Sequence, residues 1–140
     1  LNVIFLDIDG VLNTPETPTR TRDGRFLGLD PVLVARFCEL LARTDARVVL
    51  SSTWRGVLEL YDIVAAAVPV MDVTPYFPGE MRGTEIASWL GSHPDVERYA
   101  IIDDDRDMLP SQIAFFTDYS EGLTDGIVEQ ICAHFERGTR

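Results

Sequence analysis

Short apolar runs alternate along this chain with segments whose apolar residues recur every three or four positions. Residues 2–6, Asn-Val-Ile-Phe-Leu, form a β-rich run of the kind a strand buried on both faces requires. Residues 31–43 place Leu33, Phe37, Leu40 and Leu41 at helical spacing, with Asp30 as N-cap and Pro31 at the first position. A second strand is expected at 47–50, and a helix from about 55 to 67 that Pro69 ends. A third strand follows at 70–73, then a helix at 84–90 stopped by Gly91 and Pro94. Strands at 99–102 and 113–117 and a last helix at 125–137, capped by Thr124, complete the pattern.

Alternating strands and helices predict an α/β, three-layer Rossmann-like fold with a five-stranded, mainly parallel sheet and right-handed crossovers. The chain of 140 residues is expected to be one domain, and its 46% apolar composition suffices for a packed core. In such sheets ligands gather at the carboxyl ends of the strands. The polar residues obey that rule. Asp7 and Asp9 follow the first strand, Ser51 and Ser52 the second, and Asp103, Asp104 and Asp105 the fourth.

Charge and cysteine content narrow the chemistry. The net charge of −11 argues against coating nucleic acid by bulk electrostatics. All twelve basic residues are Arg, so any fixed cation at an active site must be an Arg. Cys38 and Cys132 lack metal-ligand spacing and read as small buried side chains. No stretch approaches the ~18–20 apolar residues that span a bilayer, and no basic-then-apolar leader opens the sequence. A cytoplasmic, membrane-free protein is expected. The missing initial Met and immediate strand suggest a start that is trimmed or lies inside a longer protein.

Asp7-Ile8-Asp9-Gly10 sets two carboxylates where a strand ends, with Gly10 permitting a sharp turn. Paired carboxylates repel, and the acids at 103–105 add to the charge. A hard divalent ion bound by oxygen relieves that repulsion, and Mg²⁺ suits an open site with few carboxylates. A turn or cap would explain Asp7 and Asp9 alone, but not three polar clusters at three strand ends.

These residues resemble the haloacid dehalogenase (HAD) superfamily. Asp7-Ile8-Asp9-Gly10-Val11 matches its first motif, Val48-Val49-Leu50-Ser51 its second, and Ile101-Ile102-Asp103-Asp104 its fourth, in the same order. More narrowly, Leu50-Ser51-Ser52-Thr53-Trp54-Arg55, Thr74-Pro75, Arg82-Gly83-Thr84-Glu85-Ile86 and Gly122-Leu123-Thr124 look like the small HAD domains found alone in bacteria or fused to RNA-repair modules. The resemblance implies a Mg²⁺-dependent phosphatase. Asp7 would be the nucleophile that forms an aspartyl phosphate, and Asp9 the general acid and base. Ser51 would donate to a phosphoryl oxygen. Asp7, the Asp9 carbonyl, Asp103 and Asp104 would hold the metal, with Asp107 a rival to Asp104. Ser52, Arg55 and Gly10 would line the substrate side. Arg82 would replace the Lys of the third motif, with Arg55 as its rival.

The insertions at 12–29 and 74–81 are too short for a folded cap, so the site should be open beneath a flap unless an oligomeric partner closes it. That suits a phosphorylated small molecule or, preferred on the resemblance, a nucleotide or nucleic-acid end. The sequence leaves the oligomeric state open. Arg20, Arg22 and Arg25 in the first insertion read as a solvated flap slightly ahead of a phosphate-recruiting patch. Trp54 could stack a base but is expected to pack, and His93 and His134 are expected to be ordinary packing or surface residues. A receiver domain relies on a late Lys, and a toprim-type nuclease on a Glu before its Asp-x-Asp; this chain has neither. The alternative of another class is a weakly catalytic or non-catalytic HAD-fold module that binds a phosphorylated partner.

Overall fold

The computed structural model describes residues 1–137 apart from 23 and 26. Five parallel strands, β1 (Asn2–Leu6), β2 (Arg47–Leu50), β3 (Val70–Val73), β4 (Arg98–Asp103) and β5 (Ala114–Phe116), form one sheet in the order β3-β2-β1-β4-β5. β1 is central and wholly buried from Val3 to Leu6. Its period of two divides those residues between two layers. Ile4 and Leu6 pack against α1 (Pro31–Thr44), α2 (Leu58–Ala67) and α4 (Asp125–Glu136) through Phe37, Leu40, Val64, Ile131 and Phe135. Val3 and Phe5 face α3 (Arg82–Gly91) on the other side through Ile86 and Trp89. Phe5 meets Trp89 and Tyr99 edge-on, with ring centroids 5.4 and 5.9 Å apart.

The chain runs from β1 outward to β3, then returns through α3 to β4 on the opposite side of β1. β1 and β4 therefore flank the topological switch point, and the crevice at their carboxyl ends is where such a sheet binds ligands. Expected and observed elements agree closely, and the two main departures have identifiable causes. The expected helix at 55–67 is split. Ser52 Oγ accepts the Trp54 N–H at 3.2 Å and caps a 3-10 turn, Thr53–Gly56, before α2 begins at Leu58. α3 starts two residues early, at Arg82, because a distant residue caps it. The Arg82 N–H donates to Asp107 Oδ2 at 3.0 Å, from the connection between β4 and β5. Gly83 allows that approach, since a Cβ there would lie 2.7 Å from the Leu109 main-chain nitrogen.

After β1 the described part of the first insertion turns back on itself through an antiparallel bridge between Arg20 and Leu27. Arg20 and Arg22 line a groove with Glu59 and Asp62 of α2, and the Arg22 N–H donates to Glu59 at 3.3 Å. These acids offset the positive charge of that face, which favours the solvated-flap reading. His93 stacks on Trp89 at 3.6 Å, and His134 donates to the Tyr99 carbonyl at 2.8 Å. Both histidines thus have packing roles. Among the described residues no helix is long and apolar enough to cross a membrane.

Candidate active site

Parallel register carries the ends of β1, β2 and β4 to one place. The Asp7 N–H donates to the Ile102 carbonyl at 3.0 Å and the Ser51 N–H to the Leu6 carbonyl at 2.8 Å, so the ladder continues into the residues that leave the sheet. One carboxylate oxygen each from Asp7, Asp103 and Asp104 fall within 4.8 Å of one another. Asp7 and Asp103 are buried and Asp104 is half-buried. Asp107, the rival to Asp104, is occupied elsewhere as the cap of α3.

Gly10 makes the approach of Asp104 possible. It holds φ +79°, and a Cβ there would sit 2.4 Å from Asp104 Oδ2. Gly10 is thus a backbone seat for the acidic cluster, held by its N–H donating to Asn13 Oδ1 at 3.1 Å and by its carbonyl accepting from Thr117 Oγ1 at 2.7 Å.

Burial raises the Asp7 carboxyl well above the usual range, the Asp103 charge raises it further, and Arg82 opposes both. Asp103 is pushed up to about 6, chiefly by burial. Without a cation the two acids therefore hold onto a proton. Three carboxylates against the single guanidinium of Arg82 leave an excess of two negative charges when all ionise. A divalent cation bound by oxygen fits that excess and that donor set.

Arg82 reaches the cluster from the first turn of α3. Its guanidinium lies 3.5 Å from Asp7 Oδ1 and 3.8 Å from Asp103 Oδ2, and it donates to the Ser51 carbonyl. Arg55 takes a different position. It donates to the next carbonyl, that of Ser52, at 2.6 Å and pairs with Glu85 at 2.9 Å, with its side chain almost wholly buried. Arg82 is the arginine that meets the carboxylates; Arg55 braces the strand exit behind it. Glu85, 3% exposed, joins the two. One oxygen serves Arg55 and lies 3.8 Å from Arg82 Nε, and the other accepts the Phe77 N–H at 2.8 Å.

The Ser51 hydroxyl is 1% exposed and without a partner among the described residues. A buried hydroxyl beside an acidic cluster and an arginine is a donor awaiting an acceptor. Ser52, in contrast, spends its hydroxyl on the 3-10 turn. Asp9 is gripped from two sides: Trp54 Nε1 donates to Oδ2 at 3.1 Å, and Asn13 Nδ2 donates to Oδ1 at 3.0 Å. Trp54 is 2% exposed, so it cannot stack a base.

Sequence reasoning missed Glu85, Asn13 and the polar task of Trp54. Weak signals existed: Glu85 lies three residues after Arg82 on one helix, and Asn13 four after Asp9.

The parallel 3-2-1-4-5 sheet and the acids at its switch point define a Rossmann-like domain of the HAD class. Residues 3–128 match the HAD domain in Swiss Army Knife RNA repair proteins, and the chain belongs to that family. No curated protein matches it.

Proposed function

We propose that this chain is a Mg²⁺-dependent phosphatase that hydrolyses phosphoric monoesters through an aspartyl phosphate on Asp7. The observation that carries the reading is the convergence of Asp7, Asp103 and Asp104 beside the unpartnered Ser51 hydroxyl and the Arg82 guanidinium.

Asp7 attacks phosphorus in line, forming an O–P bond as the ester O–P bond breaks. Asp9 protonates the departing alkoxide or aryloxide. In the second half Asp9 takes a proton from water as that water attacks the same phosphorus, releasing phosphate and restoring Asp7. The grip of Trp54 and Asn13 on both Asp9 oxygens suits a group that must return to one position in both halves. Ser51 donates to a phosphoryl oxygen, and Arg82 spreads positive charge over the nucleophile and the phosphoryl group. Asp7, Asp103 and Asp104, with the Asp9 carbonyl that the family resemblance implies, would hold the metal. When bound, Mg²⁺ offsets the charge that keeps two anions apart.

The short flap and the short 74–81 connection favour a substrate whose phosphate is reached from open solvent, such as a nucleotide or polynucleotide end. p-Nitrophenyl phosphate turnover is expected to require Mg²⁺ and to vanish in Asp7→Asn. Turnover that survives this substitution would refute Asp7 as nucleophile. No turnover in the parent, with or without Mg²⁺, would favour a binding module instead.

A further inference from the structure

Tyr76 follows the carboxyl end of β3, on the sheet edge that carries the acidic cluster, and is 69% exposed. One face of its ring rests on the Arg55 guanidinium, 5.5 Å from the centroid. Beside it opens a cavity of about 310 Å³ lined by Thr53, Arg55, Gly56, Val57 and Tyr76.

Three features tie this cavity to the acidic cluster. Its wall is the 3-10 turn that begins directly after Ser51 and Ser52. Arg82 and Arg55 donate to the carbonyls of those two consecutive residues, so both arginines are anchored to the same strand exit. Glu85 bonds both to Arg55 and to the Phe77 N–H beside Tyr76, which fixes the platform relative to Arg82.

The chemistry of the cavity selects its occupant. Arg55 is its one charged wall residue; its charge is balanced by Glu85, which weakens its pull on a second phosphate. Its buried Nε has no partner among the described residues and can still donate to a polar acceptor. Val57 is 49% exposed, and a Cβ built on Gly56 meets nothing within 4 Å. A tyrosine ring, an exposed valine side chain and a glycine with open space beside it suit a flat, neutral, partly polar ring. We propose that this cavity is a nucleobase subsite in which Tyr76 stacks the base of the nucleotide whose phosphate enters at Asp7. The substrate class follows from the phosphatase reading and deepens it; the stacking itself can be tested without turnover.

The test uses the full chain carrying Asp7→Asn, with Mg²⁺, so that ligands bind without reacting. Adenosine 3′- and 5′-monophosphate are titrated against ribose 5-phosphate by calorimetry, and adenosine alone by NMR of the Val57 methyls. At least one nucleotide is expected to bind roughly tenfold tighter than the sugar phosphate, within the range of base–aromatic stacking. Tyr76→Ala, or crowding the cavity with Gly56→Leu, should erase that ratio and leave ribose 5-phosphate affinity unchanged. Tyr119→Ala, at another exposed aromatic, should preserve it.

Equal affinity for nucleotides and ribose 5-phosphate, or a ratio that survives both cavity substitutions, would overturn the subsite. So would loss of the ratio in Tyr119→Ala instead. If no phosphate compound binds, adenosine decides: unmoved Val57 methyls reject the subsite, while shifts abolished by Tyr76→Ala uphold it. p-Nitrophenyl phosphate turnover in the Asp7 protein is scored separately. Turnover without nucleotide preference rejects only the subsite, and nucleotide preference without turnover rejects only the catalytic reading.

Discussion

Glu85→Gln removes one negative charge from the interior and nothing else of comparable size. The carboxylate is 3% exposed and the Arg55 side chain 6% exposed, so both sit where water screens little. Removing one member of a buried ion pair costs about 3–5 kcal/mol, because the other charge stays buried without compensation. Gln keeps the volume and one carbonyl acceptor, so the low end, about 3 kcal/mol, is expected. For a chain of this size that loss lowers Tm by roughly 10 °C. Urea unfolding should move its midpoint without changing its slope, since the same surface is exposed on unfolding. A partner experiment isolates the pairing: Arg55→Met combined with Glu85→Leu should destabilise less than the sum of the two single changes. A Glu85→Gln loss below about 0.5 kcal/mol, or strict additivity in that double substitution, would refute the claim that this pair fixes the strand exit.

Other perturbations probe the remaining contacts. Gly10→Ala should destabilise by about 1–2 kcal/mol from its left-handed backbone alone. The new Cβ, 2.4 Å from Asp104 Oδ2, should also displace that acid, so the Mg²⁺-induced rise in Tm should shrink; an undiminished rise would remove Asp104 from the metal set. Trp54→Phe leaves Asp9 Oδ2 without its indole donor; p-nitrophenyl phosphate turnover should fall while Phe preserves the packing, and unchanged turnover would show that Asp9 needs no such hold. The folded protein binds a proton at Asp103 up to about pH 6, above the ordinary carboxylate value. In that window the unfolded chain releases more protons than the native one, so this site's stability contribution, present at low pH, is lost as pH rises through about 6. Without metal, the Tm difference between parent and Asp103→Asn should therefore move against the parent from pH 4.5 to 7.5. Mg²⁺ should reverse the trend, because its ligands must be deprotonated. A difference that stays flat with pH would contradict the raised value.

The strand ends were legible from the sequence because the signal is local. A run such as Val3-Ile4-Phe5-Leu6 can be satisfied only by burial on both faces, and an Asp or Ser that follows it must sit at the sheet's carboxyl edge. The caps Asp30 and Thr124 were legible for the same reason, since each bonds to a main-chain N–H two or three residues ahead. That reasoning reached Asp7, Ser51, Asp103 and Asp104, and it reached the parallel α/β class.

It could not distribute the tasks among neighbours. Asp104 and Asp107 are equally acidic in sequence; the fold turns one towards Asp7 and makes the other the cap of α3, 25 residues away from the N–H it binds. Arg55 and Arg82 were interchangeable until the crossing of α3 over the sheet set Arg82 on the carboxylates and Arg55 on Glu85. Trp54 met the expectation of packing, yet its indole N–H also holds Asp9, which no periodicity encodes. By itself the sequence determined which residues leave the strands at the chemical edge, because alternation and capping act over a few residues. Only the tertiary structure decided which of them touch, because side-chain direction across 30 to 100 residues depends on strand register and helix crossing.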